Sequence, residues 1–269
     1  MPTLETSAGT LAYDERGEGP TLVMLPSGAH DRHDFDELRE LLPGLRTVAV
    51  DWPGHGDSPA PAPGRASAMA FADAAEELVE RLAPEGAIVL GNSVGGFAAG
   101  RLAIRRPELV RGLVLVDSGG FAARTPVVHA FCALMSRAWF LRRVYPTFAK
   151  RYMRSRTGAD RRALEAAVAT TRDDPGLATV CDLWGSFASP EHDLRRAADS
   201  ISAPTLVVWG RRDPVIPLRI GRKLAASIPG AELVVLETGH VPSTGDPEGF
   251  AAALAPFAER VLASPGVTK

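Results

Sequence analysis

Apolar positions along this chain come in short unbroken runs. Between the runs lie longer stretches where apolar residues recur every three or four positions. Thr21-Leu22-Val23-Met24-Leu25 is the first strong run. Arg46 to Val50, Ala87 to Leu90, Gly112 to Val116, Thr205 to Trp209 and Leu233 to Leu236 follow it. Runs this short, without polar alternation, suit strands buried on both faces. Between them, Ala68 to Leu82 carries Met69, Phe71, Ala75, Leu78, Val79 and Leu82 at helical spacing, and Pro84 follows its end. Val94 to Arg106 stops at Pro107, and Phe250 to Leu262 is amphipathic. Strand and helix in alternation predict an α/β fold with a mostly parallel, doubly wound sheet covered on both sides. The first twenty residues read as a hairpin around Ser7-Ala8-Gly9.

One segment breaks the rhythm. Phe121 to Pro190 offers no convincing strand and reads as helical throughout. Its aromatic residues (Phe131, Trp139, Phe140, Tyr145, Phe148, Tyr152, Trp184 and Phe187) make it too apolar for a disordered loop. The expected organisation is a core of residues 1–120 and 193–269 interrupted by a helical insertion at 121–192.

Composition narrows the function classes. The chain has 269 residues, is 45% hydrophobic and carries a formal net charge of −2. It can build a sizeable core and is not a globally basic nucleic-acid binder. No apolar stretch approaches the ~20 residues of a membrane span. Nor does Met1-Pro2-Thr3-Leu4-Glu5 open a signal sequence, so the expected location is the cytoplasm. Cys132 and Cys181 are too few for a disulfide framework or a thiolate metal site. A small-molecule substrate is the expected partner, with self-association left open.

The candidate chemistry sits at strand ends. Gly91-Asn92-Ser93-Val94-Gly95-Gly96 joins a strand to a helix and fits G-x-S-x-G, a tight turn that lifts a serine above the sheet. There, free N–H groups and the helix dipole favour developing negative charge. A serine hydroxyl needs a base. His240, in Gly239-His240-Val241-Pro242 after the last strand, lies at the same carboxyl edge. Asp213, after the fifth parallel strand, is preferred over Asp117, after the fourth, as the acid that orients it. His55 reads as a turn residue holding its loop. His30 and His33 stand in the acidic loop His30-Asp31-Arg32-His33-Asp34, where a metal site is conceivable but solvated residues are favoured. His129 and His192 read as packing or surface residues of the insertion.

The order Ser93, Asp213, His240 is that of the α/β-hydrolase arrangement. With Asp51-Trp52-Pro53-Gly54-His55-Gly56-Asp57-Ser58, the serine turn, Trp209-Gly210-Arg211-Arg212-Asp213-Pro214 and Gly239-His240-Val241-Pro242, the chain resembles an α/β-hydrolase-fold serine hydrolase with a helical cap. The resemblance runs from Leu22 to the C-terminal helix. It implies an oxyanion hole formed by the N–H groups of Gly28 and Val94. The usual His-Gly is replaced here by Leu25-Pro26-Ser27-Gly28-Ala29, so Ser27 and Ala29 are alternative donors. It also implies that the insertion covers the active site.

Between Arg137 and Arg162 that insertion carries Arg137, Arg142, Arg143, Lys150, Arg151, Arg154, Arg156, Arg161 and Arg162 against the single acid Asp160. An anionic substrate, an acidic partner or a membrane surface would give this segment a purpose, although a solvated helical face is the simpler reading. The implied activity is cofactor-independent hydrolysis of a small, largely apolar ester, lactone or thioester, with no metal. The rivals are cleavage of carbon–carbon bonds in vinylogous diketo acids, suggested by Asn92, cofactor-free perhydrolysis, and a non-hydrolytic tailoring or receptor role.

Overall fold

The computed structural model describes residues 1–263. Strands β1 (Thr3–Thr6) and β2 (Gly9–Arg16) form the expected N-terminal hairpin. The remaining strands are β3 (Thr21–Leu25), β4 (Arg46–Asp51), β5 (Ala87–Asn92), β6 (Val110–Val116), β7 (Thr205–Gly210) and β8 (Glu232–Leu236). They build one eight-stranded sheet in the order β1-β2-β4-β3-β5-β6-β7-β8, parallel from β4 onward. Strand β5 runs two residues beyond its apolar stretch. Gly91 and Asn92 are buried there and pair with Leu115 and Val116.

Side chains alternate between two cores, because successive strand residues point to opposite faces. Val23, Leu25, Val89, Leu113, Leu115, Val207 and Trp209 face one cluster, closed by α2 (Ala68–Leu82), α3 (Val94–Arg105) and α8 (Leu218–Ser227). Leu22, Met24, Ile88, Leu90, Val114, Val116, Leu206 and Val208 face the other, closed by α1 (Asp36–Glu40) and α10 (Pro247–Ala263). Each fully buried Leu, Val or Phe contributes about 1.5–3 kcal/mol. The doubly wound parallel sheet anticipated from the apolar runs is therefore present. Helix α8 was not singled out in the sequence, and only Gly221 and Leu224 on it are buried.

The segment between β6 and β7 holds α4 (Pro126–Met135), α5 (Ala138–Met153), α6 (Gly158–Thr170) and α7 (Asp174–Ser186), and no strand. These helices share a third core with Met135, Leu141, Tyr145, Ala149, Tyr152, Leu177 and Val180. Two residues of the sheet-edge loops, Ala29 and Val241, belong to that core. The insertion is thus packed directly on the loops after β3 and β8. Among the described residues, no helix is long and apolar enough to cross a membrane.

Candidate active site

Ser93 stands between β5 and α3 with φ 55° and ψ −112°, a backbone conformation that side chains rarely adopt. Such strain costs of order 1–3 kcal/mol and persists only where its surroundings over-determine it. Here they do. Ser93 N–H donates to Val116 O at 3.0 Å, and Ser93 O accepts from Gly119 N–H at 2.8 Å and Phe97 N–H at 3.0 Å. A Cβ at Gly91 would overlap the Gly95 carbonyl, and one at Gly95 would overlap the Leu25 carbonyl. The turn closes because both positions lack one.

His240 lies between β8 and the short helix α9 (Pro242–Gly245). Its Nδ1 is 2.7 Å from Asp213 Oδ2, and both side chains are buried. Asp213 Oδ1 accepts from Val215 N–H at 2.7 Å and Ile216 N–H at 3.2 Å, so the carboxylate is fixed from both sides. Asp117 is not the imidazole's partner. Its two oxygens accept from Gly210 N–H at 3.1 Å. Burial, reinforced by the neighbouring Asp213 charge, pushes its carboxyl well above the usual carboxylate range. Asp117, Asp213 and His240 are the only metal-capable cluster among the described residues. The 2.7 Å Nδ1–Oδ2 contact is a hydrogen-bond length, and the remaining Asp213 oxygen is occupied by backbone N–H groups. That arrangement fits a His–Asp pair and not a cation's ligand set.

Ser93 and His240 open into one cavity of about 200 Å³. Ser93 Oγ has no hydrogen-bond partner among the described residues. Ser27, Gly28 and Val94 line the same cavity. Val94 begins a helix, so its N–H has no intrahelical partner. Ala29 is removed as an oxyanion donor, because its N–H donates to His55 Nε2 at 2.9 Å. His55 in turn donates Nδ1–H to Pro53 O at 3.0 Å, and burial pushes its pKa down to about 4. This neutral imidazole ties the loop after β4 to the loop after β3, a wider role than the single-loop tie expected of it. His33 pairs with Asp36 at 2.7 Å on the surface, whereas buried His30 lies 2.8 Å from Asp34. Their separate partners dissolve the conceivable metal site in that loop.

Asn92 also finds a structural task. Its Nδ2 donates to Val116 O and to His240 O, both at 3.0 Å, tying the serine turn to the histidine loop. The insertion clamps that loop from above. His240 N–H donates to Tyr152 O at 3.0 Å, Thr244 Oγ1 donates to Asp160 Oδ1 at 2.7 Å, and Thr157 Oγ1 donates to Thr244 O at 2.8 Å. Asp160, which the residue count marked only as the lone acid of a basic stretch, is buried and completes a capping box with Thr157.

Six of the insertion's aromatic residues, Phe131, Tyr145, Phe148, Tyr152, Trp184 and Phe187, line the cavity, while Trp139 is exposed. His192 joins them, packed between Phe97 and Phe187 with ring centroids at 4.5 and 5.0 Å. The sequence assigned His192 to packing or the surface. Its burial pushes its pKa down to about 4.

Comparisons agree with this architecture. The model of the alpha/beta hydrolase fold family matches residues 20–246. A pimeloyl-[acyl-carrier protein] methyl ester esterase of Neisseria meningitidis is 35% identical over 246 residues, covering 87% of this chain and 75% of that relative. The enzyme of the same name from Vibrio vulnificus is 29% identical, covering 92% of this chain and 98% of the relative. The crystal structure of a hydrolase from Pseudomonas aeruginosa superposes with a TM-score of 0.81 at 27% identity, covering 96% of this chain and 97% of that one. This chain belongs to the α/β hydrolase fold family and is a hydrolase.

Proposed function

We propose that this enzyme hydrolyses a carboxylic ester of a small, largely apolar acyl group through an acyl-enzyme on Ser93. Ser93 Oγ attacks the carbonyl carbon while His240 Nε2 accepts the hydroxyl proton. Asp213 holds the imidazole's Nδ1–H and stabilises the imidazolium. Gly28 and Val94 N–H groups receive the developing oxyanion. Collapse breaks the ester C–O bond, and the departing alkoxide takes the proton from His240. Water then attacks the acyl-enzyme, giving its proton to His240. A second collapse releases the acid and restores the Ser93 hydroxyl.

The observation that carries this reading is the buried 2.7 Å His240–Asp213 contact beside a strained serine in a shared cavity. The aromatic wall supports an apolar acyl group. We assign residues 121–192 the role of a cap over the site. The names of the relatives support an ester linkage. The carbon–carbon reading loses its residue signal, because buried Asn92 is occupied by two carbonyls.

Substrate size has a second reading. Among the described residues, Arg142 and Arg162 are the only basic residues from Arg137 to Arg162 that make side-chain ion pairs with carboxylates, Asp174 and Glu37. The other cations favour an acyl group delivered on an acidic carrier, and the relatives' names place their own acyl group on an acyl-carrier protein. A panel of p-nitrophenyl esters of increasing chain length, run beside lactones, one dienol acid and a carrier-bound methyl ester, tests both readings. Ester turnover that Ser93→Ala abolishes supports the first. Preferential turnover of the dienol acid overturns it. A higher kcat/KM for the carrier-bound ester than for the free one supports the second.

A further inference from the structure

The cavity wall contains a buried chain of linked polar side chains that the proposed chemistry does not use. His30 Nε2 lies 2.8 Å from Tyr152 Oη, and Tyr152 Oη lies 2.9 Å from Tyr145 Oη. The far side of the imidazole faces Asp34, with Nδ1 at 2.8 Å from Oδ2. His30, Asp34, Tyr145 and Tyr152 are all buried, and both tyrosines line the cavity that holds Ser93 and His240. Among the described residues, the Tyr145 hydroxyl has no partner other than Tyr152. A hydroxyl offers one donor and two acceptor sites, so Tyr145 keeps unused capacity at the end of the chain.

We propose that the His30–Tyr152–Tyr145 chain is a polar subsite that binds a neutral carbonyl oxygen carried by the substrate, apart from the scissile carbonyl. This deepens the ester-hydrolase reading and rests on it for the cavity's purpose. The direction of the protons sets what the subsite accepts. When His30 carries both ring protons, Nε2–H donates to Tyr152 Oη. Tyr152 O–H then donates to Tyr145 Oη, which leaves the Tyr145 proton for the ligand. A ketone, amide or second ester carbonyl is an acceptor of that kind. A carboxylate is disfavoured, because the neighbouring His30–Asp34 ion pair carries no net charge to repay its burial. When His30 is neutral, with its remaining proton on the Asp34 side, the chain reverses. Tyr145 then donates to Tyr152 and offers the cavity only lone pairs.

The groups facing His30 are Asp34 and Asp31 from its own loop, Asp160 from α6, Tyr152 from α5 and neutral His55 from the loop after β4. Burial alone would push the imidazole's pKa down. The carboxylates of Asp34, Asp31 and Asp160 more than offset it, so the pKa ends above the ordinary histidine value. Preference for a carbonyl is therefore full on the acid side of that raised value and is lost as pH rises through it.

Ser93→Ala protein permits a binding test that needs no turnover. The probes are methyl esters of straight-chain acids with one ketone moved along the chain, each measured calorimetrically against its all-methylene counterpart. At one ketone position the expected preference is about tenfold, or about 1.4 kcal/mol, on the acid side, declining on the alkaline side. Adding Tyr145→Phe should remove the preference, read as the ratio of ketone to methylene affinity within the same variant. Adding His30→Gln instead should keep the preference and remove its pH dependence, because an amide N–H at that place does not titrate. No preferred position, or a preference that survives Tyr145→Phe, overturns the subsite. Should Tyr145→Phe perturb folding, a preference in His30→Gln that still varies with pH as in the parent overturns it equally. Native enzyme that turns over these esters without any ketone preference loses only the subsite. A carbonyl preference without turnover loses only the esterase reading.

Discussion

His55 shows how much a single buried side chain can carry. Its neutral Nε2 accepts the Ala29 N–H and so sets the loop that presents Gly28. We expect His55→Ala to lower kcat by about 10²–10³-fold, the cost of one oxyanion donor, with KM nearly unchanged. Steady-state kinetics on an ester substrate checks this, and a KM-dominated effect would contradict it. Both His55 and His192 have pKa values pushed down to about 4. In the unfolded chain each takes a proton near pH 6.5, and in the folded protein only near 4. The unfolded state thus binds more protons across that window, and these two groups make stability fall as pH drops through it. Urea titrations across the window should show the decline. His192→Phe, placed between Phe97 and Phe187, should flatten it, and an unchanged slope would count against the assignment.

Elements explain what the sequence disclosed. Runs such as Thr21–Leu25 and the helix Ala68–Leu82 match the structure residue for residue, because both are governed by local periodicity. The serine turn was equally plain, since Gly91 and Gly95 are dictated by close backbone approach. Long-range hydrogen bonds were not legible. Nothing near Asp160 in the chain announces that it accepts from Thr244, nor near Tyr152 that its carbonyl holds His240 N–H. Ala29 stood as an alternative to Gly28 until His55, distant in sequence, was seen to occupy its N–H. The clamp of the α5–α6 turn on the histidine loop makes its own prediction. Asp160→Ala removes the N3 half of the capping box and the Thr244 anchor together. It should lower Tm and reduce kcat more than it raises KM. Thermal melts and kinetics on the same preparation test this, and an unchanged kcat would mean that the clamp does not position His240.

At the scale of the whole molecule, three features converge on one sheet edge. Parallel strands β5, β7 and β8 deliver Ser93, Asp213 and His240 to it, and the helices between β6 and β7 line the cavity there with aromatic side chains. The α/β class was readable from the order of apolar runs. The linkage of His30 to the cavity tyrosines was not, because His30 and Tyr152 meet only after the helices between β6 and β7 dock. The central claim is that this convergence makes the Ser93 hydroxyl a nucleophile. Intact-protein mass spectrometry after treatment with a fluorophosphonate tests it most directly. The account predicts one adduct per chain on native protein, mapped to Ser93, absent from Ser93→Ala and formed far more slowly by His240→Ala. Folded native protein that stays unmodified, or labelling that persists in Ser93→Ala, would contradict it.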